Sequence, residues 1–108
     1  MTTPMTCFIC GHKTLEERCD WEICPVCCWE DDVLVVDREG NHEDSSSSAN
    51  KGMMVSEAQA NFMAYGASME KRKDRCRPPR PNEPLDPEWK PLDEAIRLFQ
   101  TKDELNSH

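Results

Sequence analysis

Apolar residues in this chain come in short bursts separated by long polar intervals, and two stretches hold a helical period. From Val55 onward, Ala58, Phe62, Tyr65 and Met69 recur at three- or four-residue spacing, which places them on one face of an α-helix. Ser56 with Gln59 three residues on has the form of a capping box, and Glu57 suits the positive end of the helix dipole. The pattern predicts a helix over residues 56–73, fading where Lys71, Arg72, Lys73 and Arg75 gather at its negative end. Gly66 inside it costs about 1 kcal/mol, which close approach of another segment would offset. Leu92, Ala95, Ile96, Leu98 and Phe99 predict a second helix over 92–105.

Ahead of the helices the period shortens. Lys13–Glu16 and Asp20–Ile23 are expected to run as two antiparallel strands, and Val33–Val36, three of its four residues β-branched, as a third. Residues 42–54, with serine at every position from 45 to 48, offer little to bury and are expected to form a flexible polar loop. Residues 77–91 are rich in proline, which removes donors and fixes φ, so they are expected as a semi-rigid connector in extended polyproline geometry.

The apolar content is low for a chain of this length. Leu, Ile, Val and Phe number 17 of 108 residues, and the net charge is -8. That combination falls toward the disordered side of the usual boundary, so burial of carbon alone does not account for a fold. The cysteines supply what is missing. Cys7/Cys10 and Cys24/Cys27 are two C-x2-C pairs thirteen residues apart, the spacing at which each backbone turn aims two sulfurs at one ion. Gly11 follows the first pair and Pro25 sits inside the second, both of which favour the tight turn. The expectation is a structural Zn2+ held by Cys7, Cys10, Cys24 and Cys27; the spacing serves iron in a rubredoxin-like site as well. With four protein ligands no position is left for a catalytic water, which argues against an enzyme.

Together these features predict an α+β fold in a single domain, a small zinc ribbon over 5–36 followed by two helices. Trp21 is expected to cover the metal site. Cys28 is expected as a small buried hydrophobe pointing away from the ligands, Cys19 and Cys76 as spare thiols, and His12, His42 and His108 as solvated surface. Seven cysteines, an odd number, and an N-terminus without a basic and apolar leader argue against a disulfide scaffold and for a reducing cytoplasm; no run is long enough to cross a membrane.

Charge is unevenly distributed. Residues 1–44 carry 11 acidic and 3 basic side chains, whereas 45–80 carry 3 and 7. An acidic ribbon is repelled by phosphate, so nucleic acid is disfavoured there. The basic run from Lys71 to Arg80 is expected to pair with the protein's own acidic ribbon. Trp29, Glu30, Asp31 and Asp32 are the candidate contact residues for a protein partner with a basic surface.

The segments Cys7-x-x-Cys10-Gly11, ICPVC over 23–27 with WEDD over 29–32, then 56–72 and Arg77-Pro78-Pro79, resemble the cysteine-rich CPCC family of small, mostly bacterial proteins. The first motif departs from that family's usual C-P-C-C-G: Phe8 and Ile9 stand between the outer cysteines, which are kept. The resemblance implies a zinc-ribbon-like fold, no enzymatic activity, and a role for some members as immunity proteins that neutralise antibacterial toxins. It thus favours a protein that binds a cognate toxin, and the free protein is expected to be a monomer; the alternative is a ribbon module in a transcription or translation assembly, binding through Arg72–Arg80.

Overall fold

A computed structural model of the chain describes residues 4–16, 21–32, 38–39 and 41–106, without the side chains of 102–106. The expected third strand at Val33–Val36, Cys19 and His108 lie outside these residues. The architecture is α+β, as expected. Strands β1 (Met5–Thr6) and β2 (Lys13–Leu15) pair antiparallel, as do β3 (Ser46–Ser47) and β4 (Met53–Met54), and two helices follow, α1 (Val55–Tyr65) and α2 (Asp93–Asn106), which pack on each other.

The strand pairing differs from the expected ribbon. Lys13–Leu15 pairs with Met5–Thr6 across the first cysteine turn. Residues 21–23 pair instead with the chain returning from the second turn: Trp21 N–H donates to Asp31 O, Asp31 N–H to Glu22 O, and Ile23 bridges Glu30. Each cysteine pair therefore sits at the tip of its own hairpin. The connector also does more than space the helices, because Leu85 bridges His12 and Lys13 N–H donates to Pro84 O. Proline cannot donate, but its carbonyl accepts, and this lets a proline-rich segment lie at an edge.

The segment expected as a flexible polar loop is ordered by its own polar groups. Ser46–Ser47 and Met53–Met54 form the β3–β4 hairpin around a 3-10 turn at Ser48–Asn50. Asn50 is fully buried and acts as a strand edge for Glu30: its side-chain amide donates to Glu30 O at 2.8 Å, and its carbonyl oxygen accepts from Glu30 N–H at 3.0 Å. Asp44 caps α1 from outside the helix, accepting from Ser56 N–H and from Ser56 Oγ at 2.8 and 2.7 Å. The expected Ser56–Gln59 capping box is thus absent. Gln59 turns inward, donates to Phe8 O at 2.6 Å and accepts from Leu92 N–H at 2.8 Å, stitching the first cysteine turn to the start of α2.

Helix α1 stops at Tyr65, eight residues short of the expected end. Gly66 takes φ +81° and its N–H closes on Phe62 O, the left-handed stop that glycine adopts without a Cβ penalty. Met69, buried and part of the apparent helical stripe, lies beyond the stop, ahead of a 3-10 segment at Glu70–Arg75. On α2, Ala95 is buried but Ile96 faces outward.

Candidate metal centre

The core and the cysteine cluster are one object. Cys7, Cys10, Cys24 and Cys27 are all buried, packed among Ile9, Leu15, Val26, Trp29, Val55 and Ala58, with Met53, Phe62 and Leu92 at the margin. The chain has few large apolar side chains, and most of those that are buried surround the sulfurs.

Two turns of matching geometry present the four thiols. In the first, Gly11 N–H donates to Cys7 O at 2.8 Å and Cys7 N–H to His12 O at 2.9 Å. In the second, Cys28 N–H donates to Cys24 O at 2.8 Å and Cys24 N–H to Trp29 O at 2.9 Å. Both turns exit through a left-handed residue, Gly11 at φ +79° and Cys28 at φ +64°. Cys28 is buried, as expected, and closes a turn: its backbone occupies the position glycine holds in the other.

The sulfurs converge. Cys7 and Cys27 Sγ are 3.6 Å apart, Cys10 and Cys24 Sγ 3.8 Å, and all four lie within 4.8 Å of one another. A tetrahedral ion with bonds to sulfur of about 2.3 Å sets sulfur–sulfur edges of about 3.8 Å. The donor set thus fits a divalent ion with little adjustment. Thr14 Oγ1 lies 3.0 Å from Cys24 Sγ, placed to donate to a thiolate. Hydrogen bonds from Cys10, Cys27 and Cys7 hold the Cys24 thiol far below the ordinary range. Sharing with Cys10 and Cys24 pushes Cys7 up, and burial pushes Cys27 up. To carry four thiolates the cluster needs a cation at its centre.

Other expectations for this region are corrected. Trp21 is 52% exposed and does not cover the site; Trp29, at 1%, does. Asp31 is also buried at 1%, so neither Trp29 nor Asp31 presents a side chain to a partner. Glu30 is half-buried, and Asp32 Oδ2 accepts from Ser47 Oγ at 2.9 Å, joining the second turn to β3. His12, expected as solvated surface, is half-buried, and its Nδ1 donates to Glu83 O at 2.9 Å. His42 stacks on Phe8 with ring centroids 4.8 Å apart. Within the basic run, Arg72 donates to Cys28 O and Asn50 Oδ1, and Arg77 forms a bidentate pair with Glu83, so these two guanidinium groups serve the second turn and the connector. Burial and Cys28 push the Cys76 thiol up to about 12.

Trp89, given no role from sequence, seals the first turn. Its indole N–H donates to Phe8 O at 3.0 Å, and its ring lies so close over Gly11 that an added Cβ would sit 2.3 Å from Cε3. Nothing local could have shown this, because 81 positions separate the partners. A cleft of about 550 Å3 borders Trp89, lined also by Thr6, Phe8, His42, Asp86 and Leu92; structural bonds use several of its polar groups, among them Thr6 Oγ1 donating to Asp86 at 2.6 Å.

Fold and centre together define a small α+β protein of zinc-ribbon-like form, whose described residues bring four cysteines that could hold a metal ion to the tips of two hairpins. The sequence profile of the cysteine-rich CPCC family matches residues 5–83, most of the chain and both turns, and the chain belongs to that family. Comparison with curated proteins and with solved structures gives no match. Among the described residues no helix is long and apolar enough to cross a membrane.

Proposed function

We propose that Cys7, Cys10, Cys24 and Cys27 hold a structural Zn2+ and that the protein is a non-enzymatic, cytoplasmic binding module, an immunity protein that neutralises a cognate toxin by direct contact. The observation that carries the metal half is the closed, buried cluster of four sulfurs at tetrahedral separations. Zinc accepts four thiolates in that arrangement, undergoes no redox chemistry and, with every ligand position filled, supplies cohesion. Elemental analysis of protein purified without added metal should give one zinc per chain, and iron in its place would overturn the assignment.

The partner half rests on charge and on the family resemblance. With Trp29 and Asp31 buried, the contact surface moves to the outer face of the second hairpin, where Trp21 and Ile23 are 52% and 58% exposed and alternate with the half-buried Glu22, opposite Glu30. Two large apolar side chains flanked by carboxylates on a chain of net charge -8 suit a protein with a basic active surface, where steering speeds encounter and the aromatic anchors it. The measurement is binding to the purified product of the adjacent gene. Trp21→Ala should weaken the complex at least about tenfold through faster dissociation, and Glu30→Lys should slow association. A complex indifferent to both changes removes this surface from the proposal. Lys71, Lys73, Arg75 and Arg80 are exposed and support the second reading, a nucleic-acid module. Salt-sensitive RNA or DNA binding abolished by their replacement, with no toxin complex, would establish it.

A further inference from the structure

The cluster does not absorb Cys28 and Cys76. Their sulfurs are 2.9 Å apart although 48 positions separate them, closer than non-bonded sulfurs ordinarily approach and within 1 Å of the roughly 2.05 Å disulfide bond. Cys28 is 5% exposed and Cys76 partly exposed. The surroundings hold the pair in register. Ser68 N–H donates to Cys27 O at 2.8 Å, Arg72 to Cys28 O at 2.9 Å and Arg77 N–H to Pro25 O at 3.3 Å, so residues 68–77 bracket the second cysteine turn from three points. At the matching position of the first turn stands Gly11, which has no side chain to offer. A left-handed non-glycine residue is disfavoured, yet here it is a cysteine facing a second cysteine.

We infer that Cys28 and Cys76 form a second cysteine site, a dithiol that a small-molecule disulfide such as oxidised glutathione converts to an intramolecular disulfide while the tetracysteine cluster keeps its metal. One protein thiol loses its proton and its sulfur attacks the glutathione disulfide, expelling one glutathione thiolate. The other protein sulfur, deprotonated in turn, attacks the resulting mixed disulfide and expels the second glutathione. Two protein S–H bonds become one S–S bond, and two electrons and two protons pass to glutathione. The bond staples the 68–77 bracket to the residue following the ligand Cys27, so the metal leaves more slowly from the bridged form.

The test treats the metal-loaded full chain with oxidised glutathione at pH 8 and maps disulfides in an unreduced digest by mass spectrometry, with metal content measured in parallel. The expected result is a Cys28–Cys76 linked peptide, unchanged metal stoichiometry, and transfer of the metal to a chelator at least about tenfold slower than from reduced protein, reversed by dithiothreitol. Cys76→Ser, which leaves the four clustered cysteines in place, should abolish the linkage and the slowing together. Bridges among Cys7, Cys10, Cys24 and Cys27 in place of this one, or a Cys28–Cys76 bridge that leaves metal transfer unchanged, would overturn the inference. Because the linked peptide and the metal content are read separately, absence of bound metal tells against the metal assignment and absence of the bridge tells against this one.

Discussion

The two cysteine turns share a backbone and differ in everything that supports it. Hydrogen bonds of equal length close both, and both exit through a left-handed residue, yet the first uses glycine beneath the Trp89 ring and the second a cysteine bracketed by residues 68–77. The convergence of the sulfurs thus asks only for a turn with a left-handed exit. What fills that exit is free to serve the packing around it. At the first turn an absent side chain admits a large aromatic; at the second a present side chain reaches a distant thiol. One geometric requirement is met by two opposite packing solutions.

The comparison can be broken most severely at what the turns share. If the proposed zinc is bound, replacing Cys10 or Cys27 with serine should abolish stoichiometric metal binding and cooperative unfolding alike, because such an ion would contribute on the order of 10 kcal/mol to a fold with so small an apolar interior. Thermal melts followed by circular dichroism, with and without chelator, check this; a variant that melts like the parent would show that the core stands alone.

The next effect separates the turns. Gly11→Ala sets a Cβ against Trp89 and into a disfavoured φ, and should cost about 3 kcal/mol or more in denaturant unfolding. Cys28→Gly relieves its strained backbone and should stay within about 1 kcal/mol of the parent, the gain at φ offset by the added freedom of the unfolded chain. Equal costs at the two positions would refute the claim that the exits are differently used.

Smaller effects fall on the second turn's supports. Asn50→Ala leaves Glu30 N–H and O without their side-chain partner and deprives Arg72 of an acceptor, for about 2–3 kcal/mol. Asp44→Ala removes the remote cap of α1, for about 1 kcal/mol. Smallest is a pH effect on the first turn's side. Thr6 holds the Asp86 carboxyl below its usual range, and Arg77 does the same for Glu83. Groups depressed in the folded state contribute stability above their unfolded values, about 3.9 and 4.3, and lose it as pH falls through the lower folded ones. In the Glu83→Gln variant the melting temperature should therefore fall less between pH 5 and 3 than in the parent, relative to each protein's value at pH 7.

How much of this was legible follows from the range of the interactions. Paired cysteines declare themselves because both sulfurs of a pair lie within one turn, and spacing alone carries the geometry. Buried Asn50, the remote cap Asp44 and the inward Gln59 have partners 20, 12 and 51 positions away, and no period of two or 3.6 marks such bonds. The polar stretch 42–54 looked featureless for the same reason: its order comes from side chains bonding backbone elsewhere. The end of α1 was written locally, in Gly66, but Met69 kept the apolar rhythm going and masked it. Trp21, expected as the cover, is exposed and Trp29 is buried, because flanking a cysteine pair in sequence does not say which of two indoles faces inward.

The seal that Trp89 places on the first turn has a consequence for biosynthesis. All four sulfur donors have been added to the growing polypeptide once Cys27 is in place, but the indole that closes over Gly11 follows 62 positions later, on the order of 3 to 12 s at ribosomal rates. During that interval the four sulfurs can already converge in a nascent ribbon whose roof has not emerged, so gathering the cluster and sealing it are separable events.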